Sequence, residues 1–550
     1  MAQEKHLKAD VAIIGGGTGG VAAAQAALAM GRTVVMTEPT KWIGGQLTQQ
    51  AVPPDENPSI ETYGATRRYR EYRRKVREFY LEHYPVADHV RQHFRDGYPS
   101  LNHHHWHCSV EFNPGGGNVS ALCHEFRIGL AVLEASLMPH AAAGRLRILL
   151  HNEPVDAEVD GDRVKSVRVR NLQTGEETVI EAPYFIDATE LGDLLPMTGT
   201  EYVEGFESKA MTGEPSAKDE YQPLNQQAVS WCFVLERTQQ PSDANIIDKP
   251  EQYDFWRDYV PDIQPPWPGK MLAFHNTSPM TLQARQQNLR WGLWNFRRVC
   301  NPENFADSET RADLTLVNWP NIDYILGPLT GVSEEEKQKH LKGCEQHSLS
   351  FLYWLQTEAP RTEDEGGGHG YPEIRLRPDI TGDGPNGLAL HPYIRESRRI
   401  QAEFTVLEHH VDKKIRGDKG AEPYHDSVGI GHYNIDLHPS TGGDNYIDVW
   451  CCPHQLPLGA LIPKRMENLL AGCKNLGVTH ITNGAYRLHP VEWNIGESAG
   501  ILAAHCIEHG LAPRQVRNDT DKLADFQKLI NQHGIYTQWP RVFSERPTMQ

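Results

Sequence analysis

The sequence has few cysteines, no long apolar run and no excess of positive charge. Its 550 residues include nine cysteines, and none of them stands in a Cys-x-x-Cys pair, so we expect reduced core thiols rather than a disulfide scaffold. No apolar stretch approaches the roughly 20 residues of a membrane span. The start, Met1 to Asp10, lacks the layout of a secretory signal. These absences predict a cytoplasmic protein that does not bind a membrane.

The charge balance disfavours nucleic acid as a partner. Lysine and arginine number 54 against 72 aspartate and glutamate, for a net charge of −18, whereas phosphate binding relies on a clustered positive surface. The length exceeds that at which one hydrophobic core usually keeps growing. We therefore expect at least two lobes, one that holds a cofactor and one that shapes the site of a small-molecule substrate.

The N-terminal segment has the pattern of a dinucleotide-binding unit. A short apolar strand from Asp10 runs into a glycine turn, an alanine-rich helix and a second strand that ends at Glu38. In such a unit Gly15 permits the tight turn, Gly17 lets the backbone approach a pyrophosphate, and Gly20 lets the helix pack on the strand. Glu38 can accept hydrogen bonds from a ribose and would repel the 2′-phosphate of NADP. FAD and NAD both stay open at this point.

A second glycine loop follows too soon after Glu38 to start an ordinary helix. It contains Gly44, Gly45 and Gln46, and two adjacent glycines suit close passage of the chain by a bulky flavin. Further along the chain, five segments carry recognisable motifs: Glu153–Val167, Tyr184–Asp193, His391–Ile400, Gly431–His438 and Asn468–Gly500.

Together these segments resemble the FAD-dependent oxidoreductases related to the fumarate-reductase and glutathione-reductase flavoproteins, and more narrowly a bacterial subgroup of them. The resemblance implies FAD, held covalently or non-covalently, as the cofactor. It also implies cofactor contacts for Val155 near the adenine, for an Asp-Ala-Thr turn in which Glu190 replaces the usual glycine, and for a closing turn and helix. The residues concerned are Ala188, Thr189, Gly192 and Asp193 in the Asp-Ala-Thr turn, and Gly472, Gly496 and Gly500 in the closing turn and helix.

The predicted fold is α/β, with a Rossmann-like FAD-binding domain interrupted by an inserted α+β cap. We assign residues 1–50, 145–200 and 440–510 to the FAD domain, 51–144 to a helical insertion, 205–435 to the substrate or cap domain, and 511–550 to a C-terminal segment. Within the first insertion, Ile60 to Tyr84 places aromatic residues at helical spacing beside many arginines. This pattern predicts an amphipathic helix with a solvated basic face; the other interpretation is a site for an anion or a partner. The cap is rich in tryptophan, which suits either a substrate pocket or an ordinary core; its tryptophans include Trp231, Trp291, Trp294, Trp319 and Trp354.

The closing segment predicts a helix opened by Pro490 that runs through Gly496 and Gly500 to His505. A helix N-terminus aimed at the flavin would stabilise the negative charge that develops on reduction, and Arg487 would add to that field. The other interpretation is a buried helix packed by glycine for shape alone.

A flavin that accepts hydride from a C–H bond beside OH or NH benefits from a base, and histidine is suited to that role. Our first candidates are His105 and His391, with Tyr393 and Arg395 positioning a substrate oxygen. His107, His438 and His489 follow them. The cluster from His103 to His107 predicts a polar loop or a substrate contact rather than a metal site, because consecutive histidines cannot all face one ion.

The favoured function is a dehydrogenase or oxidase that takes hydride from an alcohol, sugar or amine and passes electrons to oxygen or a carrier. An FAD monooxygenase is the first alternative, although no second glycine fingerprint for NAD(P)H is visible. A flavin-binding sensor or RNA-modification factor is the alternative from another class. The absence of a Cys-x4-Cys pair after Glu38 argues against flavin disulfide reductases. The electron acceptor and assembly into a homo-oligomer stay open.

Overall fold

The structure is a computed structural model that describes residues 5–95, 112–274 and 292–540. The strands are β1 Lys5–Lys8, β2 Val11–Ile14, β3 Val34–Glu38, β4 Leu146–Leu150, β5 Asn152–Asp160, β6 Arg163–Asn171, β7 Glu177–Glu181, β8 Tyr184–Asp187, β9 Tyr202–Val203, β10 Val229–Ser230, β11 Phe233–Arg237, β12 Arg298–Cys300, β13 Asp313–Val317, β14 Ile374–Leu376, β15 Tyr393–Ile394, β16 Arg399–Ile400, β17 Ser427–Gly431, β18 Ile435–Leu437, β19 Ile447–Val449, β20 His454–Pro457 and β21 Leu469–Ala471. The helices are α1 Thr18–Ala29, α2 Arg67–His83, α3 Asp88–Arg95, α4 Phe126–Ala142, α5 Leu194–Met197, α6 Lys209–Thr212, α7 Tyr253–Asp258, α8 Leu293–Phe296, α9 Glu334–Thr357, α10 Pro378–Thr381, α11 Glu408–Val411, α12 Lys413–Arg416, α13 His480–Tyr486, α14 His489–His509, α15 Pro513–Asn518 and α16 Thr520–Gln532.

A five-stranded parallel sheet forms the centre of the fold, in the order β21-β8-β2-β3-β4. Its strands come from the three segments that the sequence predicts for the FAD domain. Strands β2, β3, β8 and β21 are buried along their whole length, as expected for parallel strands covered on both faces. Helix α1 connects β2 to β3, and helix α14 packs directly against α1. This places the ends of β2, β8 and β21 beside the start of α1.

A smaller sheet in the order β1-β7-β6-β5 flanks the central one. The predicted hairpin in segment 153–167 is present as the antiparallel pair β5 and β6. The register of this pair skips Val155, since Pro154 faces Val169 and Asp156 faces Arg168. Val155 is therefore a bulge residue whose backbone lies outside the regular ladder.

The segment predicted as a cap contains an antiparallel sheet in the order β12-β13-β11-β14 and the long helix α9. Of the five cap tryptophans singled out above, Trp231, Trp294, Trp319 and Trp354 are buried within the core, while Trp291 lies outside the described residues. Of the two interpretations of these rings, packing in the core fits all four. The guanidinium of Arg297 also lies against the Trp319 ring.

Helix α2 corrects one expectation about the first insertion. Tyr69, Tyr72, Val76 and Tyr80 are buried as the aromatic spacing predicts. The basic face, however, is not wholly solvated: Arg73 and Arg77 are buried and pair with acidic residues that precede the helix, Glu56 and Glu61. The prediction was wrong because a run of arginines was assumed to face water, whereas a buried guanidinium is stable when carboxylates surround it.

No described helix is both long and apolar enough to cross a membrane. The eight cysteines in the described part of the chain are buried and form no disulfide. Burial raises the pKa of the Cys451 thiol to about 12, which is the behaviour of an inert core thiol.

Candidate functional site

The glycine turn between β2 and α1 is held by close backbone contacts. Gly15 has a φ of +105°, and a Cβ there would lie 2.2 Å from Ala188 O at the end of β8. A Cβ on Gly20 would lie 2.0 Å from Gly15 O. These two glycines therefore let strand, turn and helix pack together, as the fingerprint predicts. Gly17 differs from them, because the atom nearest to its added Cβ is Glu190 Oε1, at 3.1 Å.

Glu38 lies at the end of β3 beside this turn. Its carboxylate accepts hydrogen bonds from Gly16 N at 3.2 Å and from Thr40 N at 2.9 Å, and the side chain is buried. A carboxylate at the end of the second strand is where a ribose hydroxyl binds in this architecture. The predicted position of Glu38 thus agrees with its place in the fold.

Glu38 also gives the protein a pH-dependent stability. Burial raises the pKa of its carboxyl to about 7, above the value of about 4.3 in an unfolded chain. The folded flavin-free protein therefore retains a proton that the unfolded chain releases, so stability falls as pH rises from about 4.5 to about 7. We expect Glu38→Gln to reduce this fall by about 1–3 kcal/mol, measured as the free energy of unfolding in urea at several pH values.

The matched control for this experiment is Glu176→Gln, because Glu176 is exposed in the turn after β6. That variant should keep the pH dependence of the wild-type protein. If Glu38→Gln keeps it as well, the Glu38 carboxyl is not the group that takes up the proton.

The second glycine loop packs directly on the first. Gly44 N donates to Gly16 O at 2.7 Å, and Thr18 Oγ1 donates to Gly44 O at 2.8 Å. Gly44 and Gly45 have φ values of +113° and +59°, which glycine adopts without strain. The next residue, Gln46, donates from Nε2 to Arg487 O at 2.8 Å and to Glu492 Oε2 at 2.6 Å. Its Oε1 is buried and has no hydrogen-bond partner among the described residues.

The Asp-Ala-Thr turn after β8 is organised by Asp187. Its carboxylate accepts from Thr189 Oγ1 at 2.7 Å and from the N–H groups of Thr189 and Leu194 at 3.0 and 3.2 Å. Thr189 Oγ1 in turn accepts from Asp193 N at 2.7 Å, and Gly192 has a φ of +65°. These contacts fix the turn, and they leave the half-buried Asp193 carboxylate facing Arg398 Nη1 at 3.4 Å.

Glu190 places a buried ion pair beside the glycine turn. Its carboxylate pairs with Lys474, which follows β21, and Lys474 also experiences the charge of Glu492 at the start of α14. His391 faces this pair, its N donates to Gln49 O at 3.1 Å, and its Nδ1 lies 2.8 Å from Pro392 O. Burial lowers the pKa of His391, and the charge of Glu190 opposes that effect. The sequence did not suggest this grouping.

Helix α14 begins one residue before Pro490 and continues to His509, four residues beyond the predicted end. Its glycines serve contact between helices: a Cβ on Gly496 would lie 1.9 Å from Gly19 O, and one on Gly500 would lie 2.4 Å from Ala23 O. Gly472 directly follows β21, and a Cβ there would lie 2.5 Å from Ile186 Cγ2. Packing thus accounts for all three glycines in the described structure.

A second polar cluster gathers where Arg487 precedes helix α14. Arg487 Nη1 donates to Tyr393 OH at 2.7 Å, and its Nη2 donates to Asp436 O at 2.9 Å. The guanidinium of Arg395 lies over the Tyr393 ring, 4.8 Å from its centroid. The structure therefore brings together Tyr393, Arg395 and Arg487, which the sequence singled out, and adds Asp436 to them.

His438 lies between two aspartates of this cluster. Its Nδ1 is 2.6 Å from Asp323 Oδ2, and its Nε2 is 3.6 Å from Asp436 Oδ2, which is beyond hydrogen-bond length. Arg395 Nη2 lies 3.1 Å from Asp323 Oδ1, and Ser230 Oγ donates to the same oxygen at 2.5 Å. A histidine held through Nδ1 by a buried carboxylate is the usual arrangement of an oriented general base.

The charges around His438 keep both of its aspartates ionised. Burial by itself would raise the pKa of Asp323, but Arg395 and His438 lower that pKa to about 2. Burial likewise opposes the ionisation of Asp436, whose pKa is nevertheless lowered because His438 and Arg487 stabilise its charge. Asp55 behaves differently, since burial raises its pKa and the charge of Arg297 only partly offsets this.

Several residues of this cluster were missed or ranked low by sequence reasoning. Asp323, Asp55 and Arg297 stand in segments without a recognised motif, and His438 was a secondary candidate. One local signal was available, because Asp436 and His438 are two residues apart at strand β18 and so project to the same face. His489 makes structural contacts, accepting from Asp55 N at 3.1 Å and lying 3.2 Å from Val52 O. His105 and His107 lie outside the described residues.

Comparison with known proteins gives one match over nearly the whole chain. A family model described as FAD dependent oxidoreductase matches residues 10–530. No curated protein is significantly similar to the chain in sequence.

Among solved structures, similar chains share little sequence and align over less than half of either chain. The rebeccamycin biosynthetic enzyme RebC with reduced flavin is 16% identical, with 43% of this chain and 39% of that chain covered and a TM-score of 0.27. The myxobacterial chondrochloren halogenase CndH is 15% identical, with 43% and 45% covered and a TM-score of 0.23. L-proline dehydrogenase from P. horikoshii is 15% identical, with 37% and 25% covered and a TM-score of 0.16.

Proposed function

Because this chain belongs to the FAD-dependent oxidoreductase family, we propose that it is a dehydrogenase or oxidase that takes hydride from a small alcohol, sugar or amine. The predicted family, the Rossmann-like α/β fold, the FAD cofactor and the assignment as a redox enzyme are confirmed. The substrate type, the residues and the electron acceptor are part of the proposal. The observation that carries it is the histidine held by a buried aspartate in the cluster that contains Arg487 and Tyr393.

The residues around the glycine turn between β2 and α1, which we call the first cluster, fit an FAD. The turn after β2 is built of glycines, Glu38 ends the second strand, and helix α1 starts beside them, so an anionic pyrophosphate and a ribose both have suitable partners there. The buried Oε1 of Gln46 lacks a donor among the described residues, and flavin and ribityl groups carry N–H and O–H donors. The skipped backbone of Val155 suits a contact with the adenine. When bound, FAD supplies the acceptor of two electrons.

The second cluster supplies groups for the substrate. In the proposed reaction the C–H bond of the substrate breaks with its electron pair leaving as hydride, and the O–H or N–H proton passes to His438 Nε2. Asp323 holds the ring through Nδ1 and stabilises the imidazolium that forms. Tyr393 receives a hydrogen bond from Arg487, and since its hydroxyl has no acceptor among the described residues, it can donate to the oxygen or nitrogen of the substrate.

Tyr393→Phe tests the positioning role of that hydroxyl. The variant keeps the ring under the Arg395 guanidinium and removes only the O–H. We expect flavin reduction at saturating substrate to slow by about tenfold, the typical effect of losing a hydrogen bond to a charged group or to a developing charge. Stopped-flow measurement of the flavin absorbance gives this rate. An unchanged rate together with an unchanged substrate dependence would remove Tyr393 from the site.

The function itself is tested by anaerobic mixing of the FAD-loaded protein with small alcohols, sugars and amines without nicotinamide. A dehydrogenase or oxidase bleaches the flavin absorbance under these conditions, and a deuterium label on the reacting carbon slows the bleaching. A monooxygenase bleaches only after NAD(P)H is added, and a sensor does not bleach at all. Bleaching that depends on NAD(P)H alone would replace the proposal with the monooxygenase alternative.

A further inference from the structure

We propose that Arg297 binds a carboxylate of the substrate, so that the substrate is a small carboxylic acid that bears the hydroxyl or amine to be oxidised. This inference rests on the proposed function, since it adds an anion site beside His438. Arg297 immediately precedes strand β12, in the part of the predicted substrate or cap domain where the sequence shows no recognisable motif.

Arg297 is connected to Arg395 of the second cluster through Asn318. Its Nη1 donates to Asn318 O at 2.7 Å, and Asn318 Oδ1 accepts from Arg395 Nη2 at 3.3 Å. Arg395 is the partner of Asp323, which holds His438. The charges of Arg297 and His438 both act on the carboxyl of Asp55, so both side chains lie near that residue, as binding of one small molecule to both requires.

Arg297 differs from the other two arginines of the cluster in its lack of an anionic partner. Arg395 pairs with Asp323, and Arg487 pairs with Asp436. Arg297 forms no ion pair with any carboxylate in the described ranges, and its Nε is buried without an acceptor there. A half-buried guanidinium with unused donors suits a planar carboxylate, which it can bind through two parallel hydrogen bonds.

The surroundings of Arg297 hold the guanidinium in place. Its Cζ lies 4.8 Å from the centre of the Phe296 ring and 5.8 Å from that of Trp319. Stacking on aromatic rings fixes the plane of the fork before a ligand arrives, which lowers the entropy cost of binding.

Asp55 forms no ion pair with Arg297, although the charge of Arg297 partly offsets the effect of burial on the pKa of the Asp55 carboxyl. Both side chains are half-buried, and within the described structure no carboxylate lies within ion-pair distance of the Arg297 guanidinium. An anionic ligand group would give this guanidinium a direct partner.

Ligand binding to the oxidised, FAD-loaded protein tests the inference without turnover. The probes are monocarboxylates from acetate to benzoate, each paired with its neutral primary amide, and the readout is the change in flavin absorbance on titration. We expect the acids to bind at least about tenfold more tightly than their amides. Arg297→Gln should abolish that preference, whereas Arg297→Lys should retain part of it.

The matched control is Arg298→Gln, which removes the same charge one residue further on. Arg298 is committed to Asp313 through two hydrogen bonds of 2.7 Å, so this variant should keep the preference for acids. All variants are first checked for full FAD content. Equal binding of acids and amides, failure of every acid to bind, or a preference that survives in Arg297→Gln would each overturn the inference.

The same experiment separates this inference from the proposed function. Bleaching by neutral alcohols or amines, without selective binding of acids, would leave the dehydrogenase or oxidase proposal standing and remove the carboxylate site. Selective binding of acids that depends on Arg297, with no bleaching by any hydroxy or amino acid, would leave the carboxylate site standing and remove the dehydrogenase or oxidase proposal.

Discussion

Replacing His438 with glutamine is expected to slow reduction of the bound flavin by about 10²–10⁴-fold, the usual contribution of a positioned general base. Glutamine keeps a polar side chain near Asp323 but cannot accept the substrate proton. FAD content should not change, because His438 belongs to the second cluster and not to the glycine loops. The measurement is the rate constant of anaerobic reduction by a substrate identified in the bleaching screen.

The pH profile distinguishes a base from a merely structural histidine. The wild-type rate of reduction should show one ionisation that is absent in His438→Gln, with the rate lost toward acidic pH because a protonated imidazole cannot accept another proton. Exposed His369→Gln is the control and should keep both the rate and the profile. His391→Gln tests the competing assignment: if that variant loses the ionisation and His438→Gln keeps it, the base is His391.

Replacing Gly496 with alanine is expected to destabilise the protein by about 3 kcal/mol, the upper end of the usual cost of overpacking. By helix propensity alone this change inside α14 would be stabilising by about 1 kcal/mol. The structure reverses the sign, because the added Cβ would lie 1.9 Å from Gly19 O and 2.5 Å from Gly19 C. Relief of that overlap requires α1 to move away from α14, and α1 begins at the glycine turn that fits the cofactor.

Urea unfolding and the FAD content after gel filtration measure both consequences, and both should decrease together. Gly161→Ala is the matched control, because Gly161 has a φ of +59° and open space around its added Cβ. Its cost should therefore be only that of the left-handed conformation, about 1 kcal/mol. A Gly496→Ala protein as stable as the wild type would show that the two helices separate without cost.

The first cluster could be predicted largely because its signals are local. Gly15, Gly20 and Glu38 lie within one β-α-β unit, in which strand, turn and helix follow each other in sequence, so spacing alone gives their relative positions. Pro490 predicts the start of α14 for the same reason. Gly496 and Gly500 were recognised as small residues of a tightly packed helix, but their partners on α1 are more than 470 residues away in the sequence.

The surroundings of two groups of side chains could not be predicted, for a common reason. Arg73 and Arg77 belong to a run of arginines that was expected to face water, and the carboxylates that pair with them lie 12–17 residues earlier in the chain. His391 and His438 both lie in segments with a recognisable motif, and only the fold places His391 beside Glu190 and Lys474. In both cases the environment of the side chain depends on partners that a local pattern does not contain.

The sequence by itself determined the cofactor class and the architecture of the cofactor domain, because glycine positions and strand-helix alternation act through local backbone geometry. Only the tertiary structure decided which histidines of the described residues are held by a buried carboxylate, among them His438 by Asp323 and His480 by Glu396. Asp323 and His438 are 115 residues apart in the chain, and Arg395 joins them from a third segment. The reactivity of an ionisable side chain depends on burial and on nearby charge, and both arise only when these distant segments fold together.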